Sequence, residues 1–499
     1  MFQIGNIYLG IDNILLIAGV AGFAVLCSIH AIIYKRESYA AFAWLGVILL
    51  SPLVFSGMFI LWDWKGVLLI APLLASTTYL FLGVNRLSRQ FKQAAFRKQD
   101  YKFNHQMSQV VEPLLQTNKK WRAIASTGDN LDYSPIHYCD IGILNTGDEA
   151  YPAMLDAIAN AKKSISLYSY IFTFDAVGQQ FAHALVDAVN RGVYVKVLVD
   201  AVGSHSTIHE LQRTLTLGGV RFGRFMPVLL KTQFSNLRNH RKLLVIDAHE
   251  AFTGGLNIAA NYWPSLGLTQ PVTDLHFKLQ GRLVNYLQEV FSNDWAFATG
   301  EQLSGSRWFD EGLPEQGQYL GRLIVDGPGR DDERLSWHFL NAINAAELSI
   351  KIVTPYFLPN SAINSALCSA AIRGVKVEII VPNKSDHWFM DWALRGSIYD
   401  LIDRGCLVYL ATGDFDHSKL FVVDDDYASI GSANWDARSL RLNYELNLEV
   451  YGRDFVASLS VLYEAKKKNS LLFTKEDWIN RSLYKKLRDG IARLFSPYL

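Results

Sequence analysis

Cysteine is scarce in this chain. Cys27, Cys139, Cys368 and Cys406 are scattered, and no spacing among them reads as a disulfide framework or a zinc site. A reducing, cytoplasm-facing compartment fits that pattern. An excess of charge of either sign is also missing: 48 Lys and Arg against 47 Asp and Glu leave a formal net charge of +1. Nucleic-acid binders usually carry a basic surplus that neutralises phosphates, so near-neutrality argues against a nuclease and against nucleic acid as a partner. Carboxylates clustered at metal-ligand spacing are absent too, and the chemistry read below needs neither metal nor other cofactor.

Charge is missing altogether from Ile14 to Tyr34, Tyr39 to Trp62 and Gly66 to Asn85. Each run has about the 20 residues needed to cross ~30 Å of hydrocarbon. The opening residues carry no Lys or Arg and the first apolar run is too long, so a cleaved signal peptide fits poorly. Residues 1–98 are therefore expected to be an anchor of about three transmembrane spans. Basic residues follow the first run (Lys35, Arg36) and the third (Arg86, Arg89, Lys92, Arg97, Lys98), whereas the second loop has only Lys65 beside Asp63. The positive-inside rule then places the N-terminus outside and the remainder of the chain on the cytoplasmic side. Residues 99–148 are mixed and polar, and read as a linker and a cap on the first of two catalytic halves.

Beyond them the chain repeats itself. Ala157-Ile158, Ala161 and Ser164-Ile165 recur as Ala342-Ile343, Ala346 and Ser349-Ile350, and Arg191-Gly192-Val193 recurs as Arg373-Gly374-Val375. Each copy alternates helical and strand periodicity, which predicts an α/β unit with a largely parallel sheet covered by helices. The expected halves are 149–305 and 318–473, with motif strands meeting across a pseudo-twofold axis.

The motif itself is duplicated. His240-Arg241-Lys242 precedes the apolar run to Asp247, and His417-Ser418-Lys419 precedes the run to Asp424. In both copies an Asn, Asn257 or Asn434, follows the His by seventeen residues. In extended backbone, residues two apart share a face, so each copy presents an imidazole and an ammonium to one spot. Ser432 can add a hydroxyl in the second copy, where the first has Gly255. Such a set suits a phosphodiester: one His as nucleophile, one as acid and base, with Lys and Asn around the phosphoryl oxygens.

The paired His-x-Lys-x4-Asp motifs resemble the phospholipase D superfamily. Gly431 to Ser439, Asn443-Tyr444-Glu445 and Thr354-Pro355-Tyr356-Phe357 resemble its bacterial cardiolipin synthase branch. The resemblance runs over nearly the whole chain. It implies a bilobal unit of two mixed or parallel sheets and a phosphatidyl-histidine intermediate. The implied reaction joins two phosphatidylglycerol molecules into cardiolipin and releases glycerol, at a bacterial inner membrane. Use of phosphatidylethanolamine as co-substrate and a phospholipase D-type phosphodiesterase are the alternatives. His240 is assigned as nucleophile and His417 as acid and base, roles that pseudo-symmetry makes exchangeable. Asp274 and Glu445, matching the family's Thr-Asp-x-His and Asn-x-Glu, are the expected orienting acceptors, each for the His of its own half. Asp247 and Asp424 belong to the motif but read as structural caps of the turn that follows. Two spans are usual for the family, so two spans plus a re-entrant segment is the other anchor arrangement.

Three stretches pose interface questions. Phe225 to Lys231 reads equally as an interfacial rim or a buried connecting strand. The helix around Trp388, Phe389 and Trp392 reads as core. In residues 474–499, Leu483, Leu487, Ile491, Leu494 and Tyr498 recur at helical spacing among Arg481, Lys485, Lys486, Arg488 and Arg493. This basic amphipathic segment is expected to lie on an anionic leaflet rather than dock on the domain.

Overall fold

The computed structural model describes the strands Phe2–Ile4 and Ile7–Leu9, then residues 118–131, 133–226, 237–328 and 333–494, and residue 496. The two short strands pair as an antiparallel hairpin. The three apolar runs, most of the linker, Pro227 to Lys231 of the suggested rim, and Tyr498 lie outside the described residues. No helix among the described residues is long and apolar enough to cross a membrane.

Each half starts from the same local code. In the first, Asp175 caps the helix Ala176–Asn190 by accepting from the amides of Val177 and Gly178. Val177, Phe181 and Leu185 repeat every fourth position and are fully buried, as the core-facing stripe of an amphipathic helix must be. The helix ends at Gly192, whose φ of +92° is a conformation side chains disfavour. The next strand, Tyr194–Asp200, lies parallel to Ser164–Ser169, which is buried along its whole length because helices cover both faces of the sheet.

The two halves have the same strand order. From the centre outward the first runs 137–145, 275–281, 250–254, 243–246, 164–169, 194–200, 221–225. The second runs 319–326, 445–451, 427–431, 420–423, 349–353, 376–382, 407–411, with Ser470–Phe473 added at its edge. Antiparallel pairing of Tyr319–Gly321 with His137–Cys139 joins them. The result is one mixed fifteen-stranded sheet, where the sequence suggested two. Within this sheet, parallel pairing is confined to the outer strands of each half. The motif strands Leu243–Ile246 and Leu420–Val423 pair antiparallel on both sides, on one of them through the tight hairpin that follows each. The helix Lys119–Asn130 packs on the second half: Asn341 donates to the Ala123 carbonyl and Lys120 binds Asp424. Residues 137–145, read as linker from sequence, form the central strand of the first half.

The helix Trp388–Ser397 is core on one side only. Phe389 and Trp392 are partly buried against Leu358, Ala393 and Ala492, but Trp388 is 61% exposed. The C-terminal helix Leu483–Leu494 docks on it by an unexpected face. Asp489 and Ala492 are buried there, and Asp489 is paired with Arg481 and Arg488. Leu483, Tyr484, Leu487 and Ile491 remain exposed. The helix is held by a buried charge cluster, and its apolar stripe is left without a protein partner among the described residues. Phe225 is buried at the end of its strand.

Candidate active site

In both halves His and Lys stand on the extended approach to the four-residue motif strand, not within it. This approach turns to the other lobe for its hydrogen bonds. Phe415–Asp416 runs parallel to Val272–Thr273, and Asn239 bridges Tyr444. The His417 amide donates to the Thr273 carbonyl at 2.7 Å, and the His240 amide to that of Tyr444 at 2.9 Å. Asp274 follows Thr273 and Glu445 follows Tyr444, so each backbone clasp delivers a carboxylate of one lobe to the imidazole of the other. His417 Nδ1 lies 2.7 Å from Asp274 Oδ2. His240 Nδ1 lies 3.1 Å from Glu445 Oε1. The expectation that each acid orients the His of its own half is corrected: the pairs are crossed. Arg241, the middle motif residue, holds the junction together from 2% exposure by binding Asp294 and the carbonyls of Glu445 and Asp326.

The other expected residues divide into those that line the cavity and those that support it. His240, His417, Asn257 and Asn434 line one cavity of about 1140 Å³. Asn257 accepts from the Ile171 amide and donates to the Tyr262 hydroxyl, whereas Asn434 Oδ1 is buried with no hydrogen-bond partner among the described residues. Lys242 and Lys419 sit beside their histidines, each donating back to that residue's own carbonyl. Lys419 Nζ is also 2.6 Å from His417 Nδ1 and 3.6 Å from Asp274. Ser432 supports the carboxylate: its hydroxyl donates to Glu445 Oε2 at 2.5 Å. At Gly255, its counterpart, a Cβ would fall 2.2 Å from Asp274 Oδ1. The shorter acid thus occupies the space that the serine side chain fills in the other half.

Asp247 and Asp424 stand away from this cavity. Asp247 accepts from the amides of Lys162, Lys163 and Ser164. Asp424 accepts from Glu347, Leu348 and Ser349, and binds Lys120. They do cap, but the turn they cap enters the neighbouring strand rather than following the motif. Losing three charge-assisted amide bonds is expected to make Asp424→Ala about 2–4 kcal/mol less stable. Activity per folded molecule should stay within a few-fold. Thermal unfolding alongside kcat at low temperature checks this, and a kcat collapse at unchanged Tm would put Asp424 back in the chemistry.

Sequence reading missed the aromatic frame. Tyr170 packs edge-on against His240 at 5.0 Å between ring centres, and Tyr356 and Tyr262 against His417 at 6.3 and 6.0 Å. Tyr356 stands in the Thr354-Pro355-Tyr356-Phe357 phrase noted above, and Tyr170 follows the corresponding strand of the first half, Ser164–Ser169.

Electrostatics set the working states. Burial, then the neighbouring lysine charge, pushes both imidazoles down, His417 further than His240. A bound phosphodiester, being an anion, acts the other way and favours the imidazolium. Burial also disfavours ionised Glu445, but His240, Lys242 and Ser432 outweigh it and hold the carboxyl below its usual range. Asp274, with no such hydroxyl, is pushed up by burial to about 6, although Lys419 opposes this. Burial and the Lys419 charge bring Lys242 down to about 7. The signs fix a pH profile. Below about pH 6 a protonated Asp274 stops serving as an anionic partner for His417, and above about pH 7 a neutral Lys242 stops attracting phosphate. Titration of kcat/KM should therefore give a narrow bell with limbs near those values. The alkaline limb of kcat should lie higher, because bound phosphate favours the ammonium. A flat profile from pH 5 to 9 would contradict these roles.

Among the described residues, no group of three or more His, Cys, Asp or Glu is placed to hold a metal ion. The profile of the family described as "Cardiolipin synthase, PLD-like domain" matches residues 154–295 and 339–466. Cardiolipin synthase 2 of Staphylococcus epidermidis is 32% identical over 499 residues, 98% of each chain. The major cardiolipin synthase ClsA of Bacillus subtilis is 31% identical, over 93% of this chain and 95% of that one. Among solved structures, phosphatidylserine synthase of Haemophilus influenzae superposes with a TM-score of 0.58 at 16% identity, over 77% of this chain and all of that one. That likeness extends to the fold.

Proposed function

Because the chain belongs to the cardiolipin synthase family of phospholipase D-like phosphatidyltransferases, we propose that it transfers the phosphatidyl group of one phosphatidylglycerol to another, making cardiolipin and glycerol. The observation that carries this is the crossed pair of imidazoles, each backed by the opposite lobe's carboxylate and both lining one cavity. In the first half-reaction, His240 Nε2 attacks phosphorus and the bond to the glycerol oxygen breaks. That oxygen takes a proton from His417, and a phosphatidyl-histidine remains. In the second, His417 removes the proton of the acceptor's glycerol hydroxyl, the new phosphorus–oxygen bond forms, and the phosphorus–nitrogen bond to His240 breaks. Glu445 and Asp274 stabilise the imidazolium that forms in each step, as an orienting carboxylate does in any His-based relay. The buried lysines offset charge on the phosphoryl oxygens.

A membrane site completes the proposal. The exposed Leu483, Tyr484, Leu487 and Ile491 stripe, flanked by Lys485, Lys486 and Arg493, suits an anionic leaflet. It stands on the helix whose Phe389 and Met390 line the cavity. The apolar runs of residues 1–98 would anchor the chain with this unit on the cytoplasmic side. Purified full-length protein in phosphatidylglycerol vesicles should yield cardiolipin and glycerol one to one. Phosphatidic acid as the sole lipid product would overturn the transfer reading in favour of hydrolysis.

A further inference from the structure

The centre of the site is nearly symmetric, but its flanks are not. Counting two residues back from each His gives Arg238 in one half and Phe415 in the other. Counting four on from each Asn gives Arg438 and Asn261. All four line the cavity. The pocket wall therefore carries two guanidiniums where the pseudo-twofold equivalents are a phenyl ring and an amide. The arginines come from segments two hundred residues apart, yet they are close enough for Arg238 to disfavour the charged form of Arg438, second only to burial. Arg238 hydrogen-bonds Tyr170, the ring that packs on His240.

Two carboxylates, Asp200 and Asp436, stand near these arginines. Asp200 takes the amides of Val202, Gly203 and Asn239, and Asp436 takes that of Ser439. Burial pushes both carboxyls up, Asp436 to about 7. Two guanidiniums in the wall of a pocket whose pseudo-symmetric places hold a phenyl ring and an amide suit an anionic ligand.

We propose that Arg238 and Arg438 form a second phosphate seat, which holds the intact phosphodiester of the acceptor lipid while its free glycerol hydroxyl reaches the reacting phosphorus. The inference rests on the phosphatidyl-transfer reading and adds how the acceptor is selected. Two symmetric His–Lys–Asn sets cannot tell a lipid acceptor from a neutral alcohol or water, since all present only a hydroxyl. A seat for a second phosphate one glycerol away can. Phosphatidylglycerol is then preferred as acceptor because it carries an anion at the far end of its headgroup.

Soluble acceptors test this without altering the protein. Full-length enzyme in phosphatidylglycerol vesicles is offered deuterated glycerol or deuterated glycerol 3-phosphate, and the labelled lipid products are read by mass spectrometry. The seat predicts that glycerol 3-phosphate is favoured by about ten-fold or more in kcat/KM, the scale of one charge-assisted hydrogen bond. In Arg238→Gln/Arg438→Gln the preference should fall toward unity, and Lys at both positions should restore most of it. Should the double variant be inactive, each single Gln variant is compared in its place. Equal use of both acceptors by the unaltered enzyme would overturn the seat, as would a preference that survives both substitutions. Failure of the unaltered enzyme to make cardiolipin from phosphatidylglycerol alone would instead remove the transfer reading beneath it.

Discussion

Replacing either His240 or His417 by alanine is expected to lower kcat/KM by about 10⁴-fold or more, because each removes a group that forms or breaks a bond to phosphorus or moves its proton. The losses should be similar although the motifs lie in different halves, since a double displacement halts if either partner is missing. The fold should survive. Both side chains are almost wholly buried in a cavity wall, and alanine leaves the surrounding strands intact. It does strand a buried carboxylate, which costs about 1–3 kcal/mol, so a fall in Tm without unfolding at working temperature is expected. Mass spectrometry separates the roles. With the assignment given, lipid-linked phosphate appears on His240 and accumulates in His417→Ala, whereas His240→Ala traps nothing. Label found on His417 alone would exchange the roles, and more than a tenth of normal turnover in either variant would end the paired mechanism.

Glu445→Gln and Asp274→Asn should each cost about 10²–10⁴-fold, within the range set by orienting partners of catalytic imidazoles. Both changes keep shape while removing charge, so packing stays nearly constant and the loss reports on the imidazole. The crossed pairing makes the two distinguishable. Asp274, held near 6, supplies the acid limb of the profile, so Asp274→Asn should flatten that limb. Glu445 is held ionised by His240, Lys242 and Ser432, so Glu445→Gln should lower the whole curve and leave the limb in place. Loss of the acid limb in Glu445→Gln but not in Asp274→Asn would mean that the carboxylates serve the opposite functions.

Much of this was legible in the chain because it is local. A His two residues from a Lys shares its side of extended backbone, an apolar tetrad between turns makes a buried strand, and repeated Ala-Ile and Arg-Gly-Val phrases betray duplication. Those features need only covalent spacing and burial periodicity. The structural role of Asp247 and Asp424 was also within reach, since each stands past the end of the motif strand, where φ is +55° and +54°. What each caps was not, because its partner amides lie more than seventy residues away.

The sequence by itself determined the repeat, the two histidines and the residue types around them. Tertiary structure alone decided which acid serves which histidine. Asp274 and His417 are 143 residues apart and Glu445 and His240 are 205; no periodicity spans such gaps, and the choice is made by strand pairing across the lobe junction. The same cause merged two expected sheets into one and left the apolar stripe of the last helix facing outward. Pairing and docking are set by which surfaces meet in space, and spacing along the chain carries no record of that.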